Sequence, residues 1–351
     1  MGKHGFSITC FCALSSFIFW NASAEKASHG FSYFGDLKYP KDMAHYDYVN
    51  PDAPKGGVAR AAMVGTFNNL NPYVDKGSLP ELVDPWRAPL THEPLMSKSE
   101  DELAGYYGRL AESIEVADDF SWVTYTLRDN AYWHDGVPVT LDDVEWTFNA
   151  LKTEASLTWR MAYKDFERIE ALGPRSFRIY FSKAAEKTPQ LIIQSGRFYV
   201  LPKHYWQDRK FDETTIVPHL GNGPYRIVEV DIGNKIVLER VENYWGKDLN
   251  INVGKHNFDR YEFLFFFDKS VMLQALRAGV FDYYREQSEK EFATAYDFAG
   301  YREGLFKKVS YAMGYSYGMH YGIVLNTRRP PFDNIRVREA LTLAYNFECA
   351  N

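Results

Sequence analysis

At 351 residues the chain is about twice the length of an ordinary domain, so two lobes or one large elaborated domain are expected. Hydrophobic residues at 46%, charged residues at 25% and the lack of a low-complexity tract exclude a disordered chain. A net charge of −6 without a basic run argues against nucleic acid and anionic membranes as partners, since both select clustered Lys and Arg.

Lys3 and His4 precede an apolar run from Phe6 to Trp20, and Ala22-Ser23-Ala24 supplies small residues for cleavage. This pattern predicts a secretory signal peptide over 1–24 and a mature product outside the cytoplasm. The run is too short to span a bilayer comfortably, and no later stretch reaches the roughly 18 apolar residues of a membrane helix. Removal of the signal leaves Cys349 as the one cysteine, so no internal disulfide is expected. Aromatic residues make up 17% of the chain, which suits a large aromatic core, with a stacking surface for a ligand as the other use.

Residues 25–56 are rich in aromatics, Pro, Gly and Asp, break both helical and strand periodicity, and are expected to wrap over the surface. Val58–Val64 is the first strand, entered through Gly56-Gly57 and followed by a loop closed at Asn71-Pro72. Val123, Tyr125 and Leu127 alternate with polar residues, the mark of a strand with one buried face. Asp135-Gly136 marks a turn, Thr140 with Asp143 has the form of a capping box, and Leu141, Val144, Phe148 and Leu151 share one face of the next helix. Asp142 and Asp143 therefore fall in a first helical turn, where exposed N–H groups favour negative charge. Trp133 and Trp146 are expected to pack, and His134 to have no partner.

Tyr225 to Val230 and Lys235 to Val241 read as a hairpin over Gly233-Asn234. Residues 258–267 form an aromatic strand, and Ser270 to Arg277 a short helix ended by Gly279. From Tyr321 onward the pattern is strand, Pro-rich turn and helix, with Val337, Ala340, Leu341 and Ala344 on one apolar stripe. No residues follow to bury that stripe, which reads as a sequence cut short.

Chemistry-bearing motifs are sparse. The nine histidines make no HExxH or HxH pattern and the cysteines no spaced pair suited to zinc, so neither a metal nor a cofactor is expected. His92 and Glu93 could meet other ligands in space, but a surface or capping role is the simpler reading. No GxSxG elbow occurs, and GNGPY at 221–225 lacks the layout of a phosphate loop; its glycines suit a tight backbone turn. An exported hydrolase of peptides or sugars would need two carboxylates in one cleft, and Asp135, Asp142 and Asp143 already have turn and capping roles.

Four segments in order, RDNAYWHDGVPVTLDDVEWTF, GNGPYRIVEV with LERVENYWGK, MLQALRAGVFDYY and LNTRRPPFDNIRVREAL, resemble the successive signatures of the family 5 extracellular solute-binding proteins. These are the oligopeptide, dipeptide and nickel binding proteins of ABC importers. The segment YFGDLKYPKDMAHYDYVNPDAPKGG further resembles the branch serving the Yej-type importer of oligopeptides and microcin C. The resemblance implies an α/β, two-lobed periplasmic binding protein fold of type II in the three-subdomain cluster, with lobe II incomplete. Residues 57–80 and 198–282 would form the main sheet of lobe I, 81–197 an inserted subdomain, and 283–351 the start of lobe II.

The same resemblance implies a non-enzymatic monomer in the periplasm of a Gram-negative cell, delivering an oligopeptide or peptide-like ligand to ABC importer permease subunits. It places ligand contacts at Thr66, Phe67, Asn68 and Asn69, at His92 and Glu93, and at Tyr317, His320 and Tyr321. Asp135, Gly136, Gly223, Pro224 and Tyr225 would carry the family signature and fix the fold. In peptide-binding relatives the acidic partner of the peptide amino terminus lies beyond this length of chain. Weak or absent binding and exposure to aggregation are therefore expected, with a non-functional remnant as the alternative reading.

Overall fold

The computed structural model describes residues 27–87, 89–310 and 323–346. The expected signal peptide and Cys349 lie outside these residues. Contacts gather the chain into two units: residues up to Lys98 with Gly105–Arg285, and Ser99–Ala104 with the residues from Glu286 on.

In chain order the strands are β1 (Gly30–Ser32), β2 (Val58–Val64), β3 (Met96–Lys98), β4 (Gly105–Gly108), β5 (Ala111–Val116), β6 (Trp122–Leu127), β7 (Phe166–Ala171), β8 (Ser176–Phe181), β9 (Tyr225–Asp231), β10 (Lys235–Arg240) and β11 (Arg260–Phe266). The helices are α1 (Leu141–Thr153), α2 (Leu157–Ala162), α3 (Pro189–Gly196), α4 (Lys203–Trp206), α5 (Lys269–Arg277), α6 (Glu289–Thr294), α7 (Ala299–Arg302) and α8 (Ile335–Ala344). Most of the stretches read as elements from the sequence match these bounds within two residues.

The first sheet has the order β2-β11-β10-β9, with β2 parallel to β11 and the other pairs antiparallel. Parallel neighbours need a long crossover, and here everything between Val64 and Arg260 serves as that connection. One face of the sheet turns Tyr225, Ile236 and Leu238 onto Phe67, Leu70 and Val83. A second sheet, β5-β6-β8-β7, is antiparallel throughout, and Val123, Tyr125 and Leu127 of β6 are buried as their alternation requires. The small sheet β1-β4-β3 completes the strands.

The aromatic share goes mainly into the interior. Trp133, Tyr46, Tyr107, Tyr125, Tyr225, Phe166, Phe198 and Phe211 are among the largest fully buried side chains. Tyr39, Tyr46 and Tyr107 meet edge to face, which fastens the amino-terminal segment to β4.

Two expectations need correction. Residues 25–56 are not wholly without strand, because Gly30–Ser32 pairs antiparallel with Gly105–Tyr107. Among the described residues of the last unit, Ile323 to Asn326 form no strand, although the helix beyond them is present as α8. Helix α8 buries none of its residues, and Leu343 is 86% exposed.

Candidate ligand-binding site

In a sheet with parallel strands the carboxyl ends of those strands are the usual ligand-binding edge, because loops leave the sheet there with free backbone groups. Strands β2 and β11 share such an edge. Gly65 N–H donates to the Phe266 carbonyl at 2.8 Å, and Phe265 N–H donates to the Asn234 carbonyl at 2.7 Å, so the β9–β10 turn lies there too. Gly233 in that turn has φ +77°, and a side chain on it would come within 2.8 Å of Thr66 Oγ1.

The four residues expected to contact ligand from this loop divide in two. Thr66 and Asn68 are exposed, whereas Phe67 and Asn69 are buried. Phe67 packs on Phe265 with ring centroids 4.7 Å apart. Asn69 braces the loop: its amide donates to the carbonyls of Asn71 and Lys76, and its oxygen accepts from the N–H groups of Asn71 and Thr215. Asn68 Oδ1 accepts from Ser78 N–H at 2.7 Å, and Ser78 Oγ donates to the Thr66 carbonyl at 2.8 Å. The exposed pair is thus held in place by the buried pair and Ser78.

A residue the sequence reading passed over stands at the same edge. Phe267 follows the last paired residue of β11 and is 90% exposed, while Phe265 packs on Phe67 and Phe266 on Phe281. The run of three phenylalanines hides this, since only the end of the ladder shows that the third lies past the paired strand and exposed among the described residues.

Glu93 lies inside, with its side chain fully buried, and ion-pairs with Arg109 at 2.6 Å. Tyr244 donates its hydroxyl to the other carboxylate oxygen, and Asn252 accepts from Arg109 at 2.7 Å. Burial raises the Glu93 carboxyl above its ordinary pKa, with Arg109 and Tyr244 opposing. Burial alone would lower the Arg109 guanidinium, but the Glu93 charge holds it above its usual value.

His92 is half-buried: its Nε2 donates to the Leu220 carbonyl at 3.2 Å, and Nδ1 accepts from Thr91 Oγ1 at 3.0 Å. It shares a cavity of about 20 Å³ with Tyr73, Tyr199 and His219. Burial depresses His92 to a pKa of about 4 and His219 to about 3. Tyr317, His320 and Tyr321 lie outside the described residues.

The WHDG turn is structural, but His134 is not without partners as expected from sequence. Its Nε2 donates to the Gly223 carbonyl at 2.8 Å and its backbone N–H to Gly221 at 2.8 Å. Asp135 Oδ1 accepts from Val137 N–H, and Oδ2 meets His204 at 2.8 Å. Thr140 and Asp143 form the capping box, while the second carboxylate oxygen of Asp143 accepts from Lys203 N–H at 2.8 Å. Asp142 is exposed and faces Lys203. These three carboxylates serve a turn, a cap and the surface, not one cleft. Gly223 cannot carry a side chain, because a Cβ there would lie 2.6 Å from the Thr91 carbonyl carbon, and Tyr225 donates its hydroxyl to the Phe258 carbonyl. No group of three or more metal-ligating side chains occurs among the described residues, nor a helix long and apolar enough to cross a membrane.

A sheet whose parallel strands end at a braced polar loop, with a second sheet inserted in the crossover, has the architecture of a periplasmic binding protein. The chain belongs to the bacterial extracellular solute-binding proteins, family 5, whose middle region matches residues 105–350. It is 37% identical to the "Probable peptide-binding protein YejA" of Agrobacterium fabrum, covering 92% of this chain and 52% of that one. It is 36% identical to the peptidoglycan-binding protein YepA of the same organism, covering 92% of this chain and 54% of the relative.

The oligopeptide-binding protein AppA of Bacillus subtilis, solved with a nonapeptide, superposes with a TM-score of 0.56 at 19% identity, over 70% of this chain and 47% of its own. The substrate-binding protein CtaP of Listeria monocytogenes gives 0.54 at 24% identity, over 66% and 45%. The chain spans about half the length of the curated relatives it matches.

Proposed function

We propose that the chain is the ligand-capturing part of an exported carrier that delivers peptides or peptide-like solutes to an ABC importer. Membership of family 5 carries this reading, supported by the exposed Thr66, Asn68 and Phe267 at the carboxyl edge of β2 and β11. The carrier acts without catalysis, in the periplasm and as a monomer, and meets permease subunits at the inner membrane. Residues 57–80 and 198–282 serve as the main sheet of lobe I, 81–197 as its inserted subdomain and 283–351 as the start of lobe II. Peptide would be gripped largely through main-chain hydrogen bonds, with side chains in wet pockets.

One relative, YepA, is a peptidoglycan-binding protein, which makes a peptidoglycan-derived peptide the first peptide-like solute to test. Amide spectra of the labelled chain titrated with an unrelated tripeptide and with a peptidoglycan tripeptide test both points. The expected result is saturable shifts at Thr66, Asn68 and Gly233, larger for the peptidoglycan peptide and weakened in Asn68→Ala. Saturable binding with no shift along this edge would overturn the site.

A further inference from the structure

The opposite end of the first sheet carries an open bowl of about 520 Å³, bordered by Arg226, Glu239, Arg240, Glu242, Asp259 and Arg260. Its volume falls in the range of small-molecule sites, roughly 300–1,000 Å³. Strand β11 begins at this bowl with Arg260 and ends at Phe266 beside the peptide edge, so the two lie about 20 Å apart at the usual strand rise. The bowl is not part of the site described above.

Its six charges are three of each sign, and they are not all spent on one another. Strand register puts Glu239 opposite both Arg226 and Arg260. Arg226 takes that carboxylate at 3.1 Å, and Arg240 pairs with Asp259. Arg260 is left with a buried Nε–H lacking an acceptor, and its side chain has no ion-pair partner among the described residues. Glu242, just past the end of β10, is exposed and likewise has none. One bowl thus presents one uncommitted guanidinium and one uncommitted carboxylate.

We propose that this bowl is a second binding site, for a small zwitterion whose carboxylate meets Arg260 and whose ammonium group meets Glu242. A free amino acid or the two termini of a very short peptide has this chemistry. Arg260 offers the planar fork that suits a carboxylate, and Asn243 on the rim adds an amide able to donate or accept. A simple anion would satisfy Arg260 but would be repelled by Glu242, Glu239 and Asp259, and a simple cation would meet the reverse.

The test is a titration of the isotope-labelled full chain with millimolar glycine, reading backbone amides and arginine Nε–Hε signals. Saturable shifts confined to residues 239–243 and 259–260 are expected. Arg260→Gln and Glu242→Gln should each weaken binding about tenfold or more, the usual size of a lost charge-assisted hydrogen bond. Sodium acetate alone and methylammonium alone should each bind at least about tenfold more weakly than glycine. The tripeptide response at Thr66 should persist in Arg260→Gln, which separates the two sites. The proposal is overturned by unsaturable shifts, by shifts at the Thr66 edge alone, or by acetate matching glycine.

Discussion

Removing Arg109 while leaving Glu93 in place should destabilise the first unit severely. Glu93 is fully buried and has two side-chain partners, Arg109 at 2.6 Å and the Tyr244 hydroxyl. In Arg109→Met the packing of the stem is retained and the guanidinium is lost, so a carboxylate stays in the interior with one neutral donor. Breaking a buried pair in this way costs about 3–5 kcal/mol, whereas replacing both partners by apolar groups of similar volume is often close to neutral. Urea unfolding of the wild type, Arg109→Met, Glu93→Leu and the double variant measures the cycle. Coupling of about 2 kcal/mol or more is expected, with the double variant more stable than Arg109→Met. The pH dependence has a definite sign. Without Arg109 the folded-state pKa of Glu93 rises further above its unfolded value, so the penalty is full above that raised pKa and is relieved as pH falls through it. A loss under about 1 kcal/mol in Arg109→Met, or one that does not shrink on acidification, would refute the picture of a desolvated pair.

Acid should weaken the fold through three half-buried imidazoles, His92 at about 4 and His219 and His256 at about 3. Their depressed folded values stabilise the protein above the unfolded pKa near 6.5 and are lost as pH falls through that window; at pH 5 each costs about 2 kcal/mol, and His219→Gln should flatten the fall in Tm between pH 7 and 5. Asp143→Ala should cost roughly 2–4 kcal/mol in denaturant unfolding, because it removes the α1 cap and leaves the Lys203 N–H without its acceptor. Gly221→Ala should unfold the first unit or lower its Tm steeply, since a methyl group there collides with the Thr91 carbonyl, whereas Gly173→Ala, where nothing lies near, should shift Tm little.

The strands of the first sheet and the helix after WHDG were legible because their signals are local. The Gly56-Gly57 turn ahead of Val58–Val64, the Gly233-Asn234 turn and the Thr140–Asp143 spacing need only neighbouring residues to act. Glu93 shows where such reading stops. Its nearest sequence neighbours are His92 and Pro94, yet its environment is set by Arg109, Tyr244 and Asn252, the last two some 150 residues away. His134 is the same case, since its acceptor Gly223 belongs to a loop that no pattern within the WHDG segment announces. The edge loop was readable as a position but not as orientation. Thr66 and Asn68 point out and Phe67 and Asn69 in because Phe265 and the 71–76 turn stand on one side of the loop.

The conspicuous motifs of the chain turn out to meet each other. His134 of WHDG donates to the carbonyls of Gly221 and Gly223; Trp245 of ENYWG donates to the Asn222 carbonyl at 2.8 Å; Tyr244 holds Glu93; and Asn222 Oδ1 accepts from Glu93 N–H at 2.8 Å. The Thr91 carbonyl closes the ring by accepting from the Asn222 and Gly223 N–H groups, and His92 by donating to the Leu220 carbonyl. These segments are about 40, 90 and 20 residues apart in sequence, and their junction joins the first sheet to the chain inserted in its crossover. Buried polar networks of this sort tolerate little substitution, because each loss strands a partner in the interior. The signature therefore specifies how the inserted region is fastened. Under the proposed function, exchange at Thr66, Asn68 and Phe267, strand-edge positions that no motif covers, should change what is bound without changing whether the chain folds.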